Sequence, residues 1–262
     1  DVVKVALDAP LAGEPGVTFF YNNKAVNLLA GIVEKVAGKK LDEYLRDELF
    51  GPLGMTRFSW MRDASGNPHG MAGLQIDPLD FARIGQLMLD DGKLQGRQIL
   101  TPDWVRESLP KGGNGERRSS LLWWPIEAWT KLEVADETLD TWRKGGADPV
   151  FVDKMATLRG KVFTDMSELL PLADQLFGAG QGIQAYMMNV RAKGLPGLKR
   201  TSGPVVGLSA NGFLGQYVAV LPASRLVVVR MVRQDSFTSE ADNFGDFFQR
   251  VLELKPEATS AK

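Results

Sequence analysis

Apolar residues first recur at helical spacing between residues 24 and 37. Val26, Leu29, Val33 and Val36 stand at i, i+3, i+7 and i+10, one face of a 3.6-residue period, and Gly38 follows as a natural stop. The pattern predicts a helix there and a second over about residues 41–50, closed by "GPLGM". Upstream, Val2 to Leu7 is a short amphipathic stretch that runs into a Pro/Gly-rich loop. Asp77-Pro78 predicts the start of a third helix, with Asp77 as cap, Pro78 at N1, Asp80 at N3 and Gly92 as stop. Thr101-Pro102 repeats that signal for a helix through about Leu109. Residues 127–180 have helical composition and little β-branched alternation, which predicts a helical insertion. After Gly180 the pattern turns strand-like. "IQAYMMNVR" is one strand candidate, and "GQYVAVLPASRLVVVRMV" reads as a hairpin turning at Pro222 to Arg225. A closing helix over about residues 243–254 carries Phe244, Phe247, Phe248 and Val251 on one face, and residues 255–262 read as a loose tail. The expected class is α+β, an antiparallel sheet with helices. Residues 1–126 and 181–254 form one domain, interrupted by an insertion over 127–180.

Composition narrows the chemistry. The 262 residues are 44% hydrophobic, enough to bury a full core. Formal charge is −1, from 31 basic and 32 acidic residues, and gives no reason to expect nucleic acid as a partner. There is no cysteine, which excludes disulfides, thiolate catalysis and cysteine-ligated metals. One histidine, His69, leaves no material for a multi-histidine metal site and little for a His-dependent triad. No apolar run approaches the roughly 20 residues that a membrane span needs.

Tyr21 and Asn23 form a Tyr-x-Asn pair at the mouth of the first long helix. A phenol beside a cation can act as a general base, and an asparagine offers both a donor and an acceptor to a substrate amide or a lysine. Read alone, the pair is more simply a surface tyrosine with an asparagine capping the helix. Ala210-Asn211-Gly212 reads alone as a strand end with a bulge. Ser108-Leu109-Pro110-Lys111 is the only Ser-x-x-Lys in the chain, and Pro110 would break the turn needed to put its serine and lysine on one face. His69 and Arg117-Arg118 lie in Gly/Pro-rich loops. Trp123 and Trp124 could line a pocket or fill a core. Asp63, Asp90 and Asp91 lack metal-site spacing.

The stretch "GEPGVTFFYNNKAVNLLAGIVEKVAGKKLDEYLRDELFGPLGMTRFSW" resembles the serine β-lactamase and penicillin-binding-protein superfamily, chiefly its class C and esterase-like branch. It holds, in order, a Pro-Gly turn, an aromatic residue, Tyr-x-Asn, an apolar helix, a Gly-Lys step, an amphipathic helix and "PLGM". "GMAGLQIDPLDFARIGQLMLDDGKLQGRQILTPDWV", "SLLWW" and "GLSANGFLGQYVAVLPASRLVVVRM" are similar to the family's Gly-Gly-Leu segment, aromatic strand, and third motif with closing hairpin. The resemblance implies a β-lactamase/transpeptidase-like fold. It makes Tyr21 the candidate base and Asn23 the substrate or lysine holder. It maps the third motif onto Ala210, Asn211 and Gly212, with the Phe213 N–H facing the oxyanion. Ala210 stands where the family carries a basic or imidazole side chain, which favours an esterase or amidase over a penicillin target.

The expected activity is hydrolysis of an ester or amide through an acyl-enzyme, without metal or cofactor. The family's Ser-x-x-Lys nucleophile lies upstream of Tyr-x-Asn, and no serine precedes Tyr21. The expected partner is therefore an N-terminal fragment of the same protein carrying Ser-x-x-Lys, which would cover apolar surface exposed on this chain. The rival expectation is an inactive relative serving as a binding or assembly module. A lid would aim Trp129 or Trp142 at Tyr21, and an assembly surface would turn them outward. The family suggests a periplasmic or secreted protein, with the cytoplasm as the alternative.

Overall fold

The structure, a computed structural model, describes residues 1–11, 13–14, 21–110, 119–238 and 244–254. Asp1 caps α1 (Val2–Leu7), accepting from the N–H groups of Val3 and Lys4. The expected helix over 24–37 is two pieces, α2 (Asn23–Val26) and α3 (Leu28–Ala37), stepped at Asn27. Gly38 ends α3 at φ 68°, as expected. α1 crosses α3 at Gly31, where a Cβ would come within 2.6 Å of a Val3 methyl. The apolar face read from the sequence is not the buried one. Ala30 is buried, whereas Leu29, Ile32 and Val36 are exposed, as are Val5, Leu7 and Leu11 beside them. α4 (Leu41–Leu45) continues through a π turn to Phe50.

Strands β1 (Phe58–Trp60) and β2 (Leu74–Ile76) form a hairpin over the core of Phe50, Leu53, Met55 and Leu87. α5 (Pro78–Leu89) starts as expected, with Asp77 accepting from the Leu79 N–H and Pro78 in the first turn. A small hairpin, β3 (Lys93–Leu94) and β4 (Arg97–Gln98), leads to α6 (Pro102–Ser108), capped by Thr101.

The central antiparallel sheet is assembled from distant segments. It contains β5 (Trp124–Glu127) and, after the insertion, β9 (Val205–Asn211), β10 (Tyr217–Leu221) and β11 (Leu226–Arg230), in the order β11-β10-β9-β5. The hairpin turn falls at Pro222–Arg225, with Leu221 opposite Leu226. The sheet's two faces follow the period of two. Leu208 and Val220 pack with Met88 of α5 and Val105 of α6. Ala219, Leu221 and Ile126 pack with Val251 of α11 (Phe247–Glu253). The helix thus lies on a sheet flanked on both faces, the arrangement expected. α5 approaches closely because residue 85 is glycine: a Cβ would meet a Val227 methyl at 2.6 Å.

Between β5 and β9 lies a unit with its own core. It comprises β6 (Thr130–Glu133), α7 (Asp136–Lys144), α8 (Pro149–Ala156), β7 (Val162–Phe163), α9 (Met166–Phe177), α10 (Gly182–Tyr186) and β8 (Lys199–Ser202). Its core is built around Trp142, Phe151, Leu169, Tyr186 and Val190. The strand expected at "IQAYMMNVR" is helical: α10 runs into a π turn over Met187–Arg191. Tyr186 and Val190, one turn apart, are both buried, so the apolar spacing is that of a helix face. The unit also holds a three-stranded sheet, β7-β6-β8, that a reading by helical composition passes over. A buried ion pair, Arg200 to Glu127 at 3.1 Å, fastens β8 to the end of β5.

Candidate active site

Asn22 positions Tyr21. It is extended (φ −142°, ψ 104°), and its Oδ1 accepts from the N–H groups of Lys24 and Ala25, capping α2. The capping asparagine is thus Asn22, and Asn23 is already helical. The two motif residues do not lie on one extended strand; the backbone turns between them. Behind this turn, Asn27 is buried and accepts from the Met71 N–H at 3.2 Å. Gly70 presses so close to the Val26 carbonyl that a Cβ would lie 2.6 Å from it. The Gly-rich loop after β1 therefore fixes the direction in which Tyr21 leaves the helix.

The Tyr21 ring lies 6.4 Å from that of Trp124 and is 70% exposed. Trp124 stands opposite Ser209, one residue before Ala210. The structure thus brings Tyr21 to the sheet edge that abuts the third-motif strand. Asn23 is exposed. Among the described residues no hydrogen bond joins Tyr21 or Asn23 to residues 210–213.

Ala210 pairs with Val218 and Asn211 with Tyr217. The Gly212 N–H is taken by the Gln216 carbonyl at 2.7 Å. The Phe213 N–H has no acceptor among the described residues and opens a 3₁₀ turn over Phe213–Gly215. A developing negative charge placed there would meet a free donor. Leu214 is left-handed (φ 60°) and the Phe213 side chain is 76% exposed.

The other candidates resolve into structural roles. Ser108 is buried and its hydroxyl donates to the Trp104 carbonyl at 2.8 Å within α6, so it is not presented to a substrate. Lys111, Arg117, Arg118, Asn243 and the tail 255–262 lie outside the described residues. Trp123 packs against the core on the α5 face, the core reading of the pair, while Trp124 meets the Tyr21 ring. The His69 carbonyl accepts from the Trp60 indole N–H at 2.9 Å. Asp63 accepts from the N–H groups of Val2, Asn67 and Ser65. Asp90 pairs with Arg225. Among the described residues no group of three or more His, Cys, Asp or Glu gathers. Tyr217 is ill placed as a base, because burial among Phe244, Phe247 and Phe248 pushes its phenol up. Trp142 is fully buried and donates to the Pro196 carbonyl, as neither a lid nor an assembly face would have it, whereas Trp129 is exposed beside Gly203, the outward placement expected of an assembly face.

A feature invisible to sequence reasoning lies just before Trp124. Leu121 (φ 43°) and Leu122 (φ 72°) are consecutive left-handed residues in a tight turn closed by reciprocal bonds between Ser120 and Trp123. Such turns normally carry Asn-Gly, and Leu-Leu gives no signal for one.

The chain is similar to known proteins. A 6-aminohexanoate-dimer hydrolase from Paenarthrobacter ureafaciens is 33% identical over 108 residues, which is 40% of this chain and 27% of that protein. A solved structure of a candidate 6-aminohexanoate-dimer hydrolase from Bacillus anthracis superposes with a TM-score of 0.57 at 17% identity, covering 98% of this chain and 50% of that one. The latter likeness speaks for the fold. The chain spans about half the length of that structure and a smaller share of the curated relative. Residues 1–246 match the model of the Beta-lactamase family, and the chain belongs to that family.

Proposed function

We propose that this chain is the Tyr-x-Asn half of a serine hydrolase that cleaves an ester or amide through an acyl-enzyme. The observation that carries the reading is the meeting of Tyr21 with Trp124 at the edge beside Ala210–Phe213, where the Phe213 N–H has no acceptor among the described residues. The nucleophilic serine and its lysine belong to a segment outside this chain. The serine hydroxyl attacks the carbonyl carbon, and Tyr21 together with that lysine receives the proton. The oxyanion accepts from the Phe213 N–H, and the proton returns to the departing alcohol or amine. Water then cleaves the acyl-serine by the same route. Asn23 holds the substrate or the lysine. Ala210 offers no charge for a substrate carboxylate, which supports an esterase or amidase over a penicillin target. The hydrolase named for the Paenarthrobacter relative fits an amide substrate.

An exposed apolar surface, the outer side of α1 and α3, supports a missing complement, as does the edge of half-buried β11, which among the described residues is paired on one side alone. That edge runs Leu-Val-Val-Val-Arg without the Pro125 and bulge that blunt β5. Replacing Tyr21 by Phe in the whole gene product should lower hydrolysis of p-nitrophenyl acetate about 100-fold or more with little change in KM. An unchanged rate contradicts the assignment.

A second reading, an inactive module for binding or assembly, is favoured by one observation. Ile183 on α10 and Met187 and Met188 in the π turn after it are exposed apolar side chains, a kind of surface that proteins use for partners.

A further inference from the structure

Among the described residues, six non-glycine positions have left-handed backbones: Asp91, Gln95, Leu121, Leu122, Leu214 and Arg225. Three are leucines, and all three lie at one end of the central sheet. The ladder explains why. Trp124 stands opposite Ser209 and Pro125 opposite Leu208. Continued by the same register, Leu122 falls opposite Asn211 and Leu121 opposite Gly212. The chain does not continue the ladder there; it curls into the tight turn Ser120–Trp123, anchored by the Ser120 hydroxyl on the Glu107 carbonyl. The turn therefore stands where β5 begins, at the end of the sheet where β9 closes, two residues from the tryptophan that meets Tyr21.

A left-handed leucine costs conformational energy that asparagine or glycine would not, and strain of this kind collects at functional sites. These leucines do not recover it by burial, since Leu121 is 46% and Leu122 58% exposed. Phe213, on the neighbouring loop, is also exposed. The stretches flanking this end, residues 119–126 and 203–224, contain no ionisable side chain except Tyr217, which is turned into the α11 face. What the two exposed leucines of the turn present is apolar, uncharged and free of hydrogen-bond donors.

We propose that Leu121 and Leu122, with Phe213, form a subsite for a linear aliphatic segment of the substrate adjoining its scissile bond. The inference rests on the hydrolase reading for the identity of the ligand as substrate. The leucines are specificity residues: they exclude water and make dispersion contacts, and they take no part in proton transfer.

The test is equilibrium binding of n-alkanamides, from butanamide to octanamide, to the whole gene product. Affinity should rise with each methylene, up to about fourfold, the factor that corresponds to about 0.8 kcal/mol per buried CH₂. The variant Leu121→Asn/Leu122→Gly installs the pair this turn prefers. It should melt at the same or a higher temperature and lose the chain-length dependence. A variant that keeps the wild-type chain-length dependence overturns the proposal, as does a wild type with none. A variant that melts substantially lower also overturns it, because the leucines would then serve the fold. The two readings fail separately. Chain-length-dependent binding without hydrolysis removes the enzyme and leaves the subsite, and hydrolysis indifferent to chain length does the reverse.

Discussion

Tyr21 owes its direction to three neighbours that hold the backbone around it. Asn22 caps α2, Asn27 grips the Met71 N–H, and Gly70 lets the loop press against Val26. The Tyr-x-Asn spacing was readable from the chain, but the cap itself fell one residue earlier, on Asn22. Two adjacent asparagines give no local signal that says which will cap. The donor at Phe213 offers a sharper test than deletion of a side chain. Phe213 begins a 3₁₀ turn after an extended Gly212, a place that accepts proline. Phe213→Pro should therefore fold, lose the N–H and lower kcat about 10²–10³-fold, while Phe213→Ala keeps most of kcat. Equal rates for the two variants would contradict an oxyanion role. Asp63 makes a pH-dependent contribution. The Val2 N–H, and then those of Asn67 and Ser65, hold its carboxyl well below the usual carboxylate range. A carboxyl whose folded pKa is depressed stabilises above its unfolded pKa, about 3.9, and that stabilisation is lost as the pH falls below it. Acid melting curves of Asp63→Asn should be flatter than wild type below about pH 4; curves of equal slope would show that the carboxylate contributes nothing.

Among the elements, those with punctuation at both ends were the legible ones. Asp77-Pro78 and Thr101-Pro102 start α5 and α6, Gly38 stops α3, and Pro222 to Arg225 turns the β10–β11 hairpin. The apolar face of α3 was misjudged because periodicity reports which side seeks cover, and part of that side has none among the described residues. The segment 183–191 was misread because a short apolar run fits a strand and a buried helix equally until its neighbours are known. Contact between α5 and the sheet depends on Gly85. Gly85→Ala should cost about 1–3 kcal/mol in urea unfolding, since its methyl would meet Val227, Val218 and Val220 together. The insertion depends on Trp142, whose indole is buried against Phe151 and Tyr186 and bonds the Pro196 carbonyl. Trp142→Ala should cost about 3–5 kcal/mol, with the loss of protection confined first to residues 128–204 in hydrogen exchange. Uniform loss across the molecule would show that the insertion is not a separate cooperative unit.

At the scale of the molecule, the fold was legible because several motifs recur in a fixed order, and order carries more information than any motif alone. The strained Leu121–Leu122 turn was not legible, since tertiary contact and not local preference sets it. Neither was the insertion's own sheet, whose strands are two to four residues long. The exposed faces of α1 and α3 and the β11 edge, unpaired among the described residues, give the isolated chain a surface that should bind a hydrophobic dye and associate with itself as concentration rises. The account centres on Tyr21 serving a serine supplied from elsewhere. Intact mass of the purified protein and everything that travels with it, before and after a fluorophosphonate probe, tests this most directly. The account predicts one label on a serine outside residues 1–262, formed quickly with Tyr21 present and about 100-fold more slowly in Tyr21→Phe. A label that forms equally fast in both proteins, or none on the whole gene product, would contradict it.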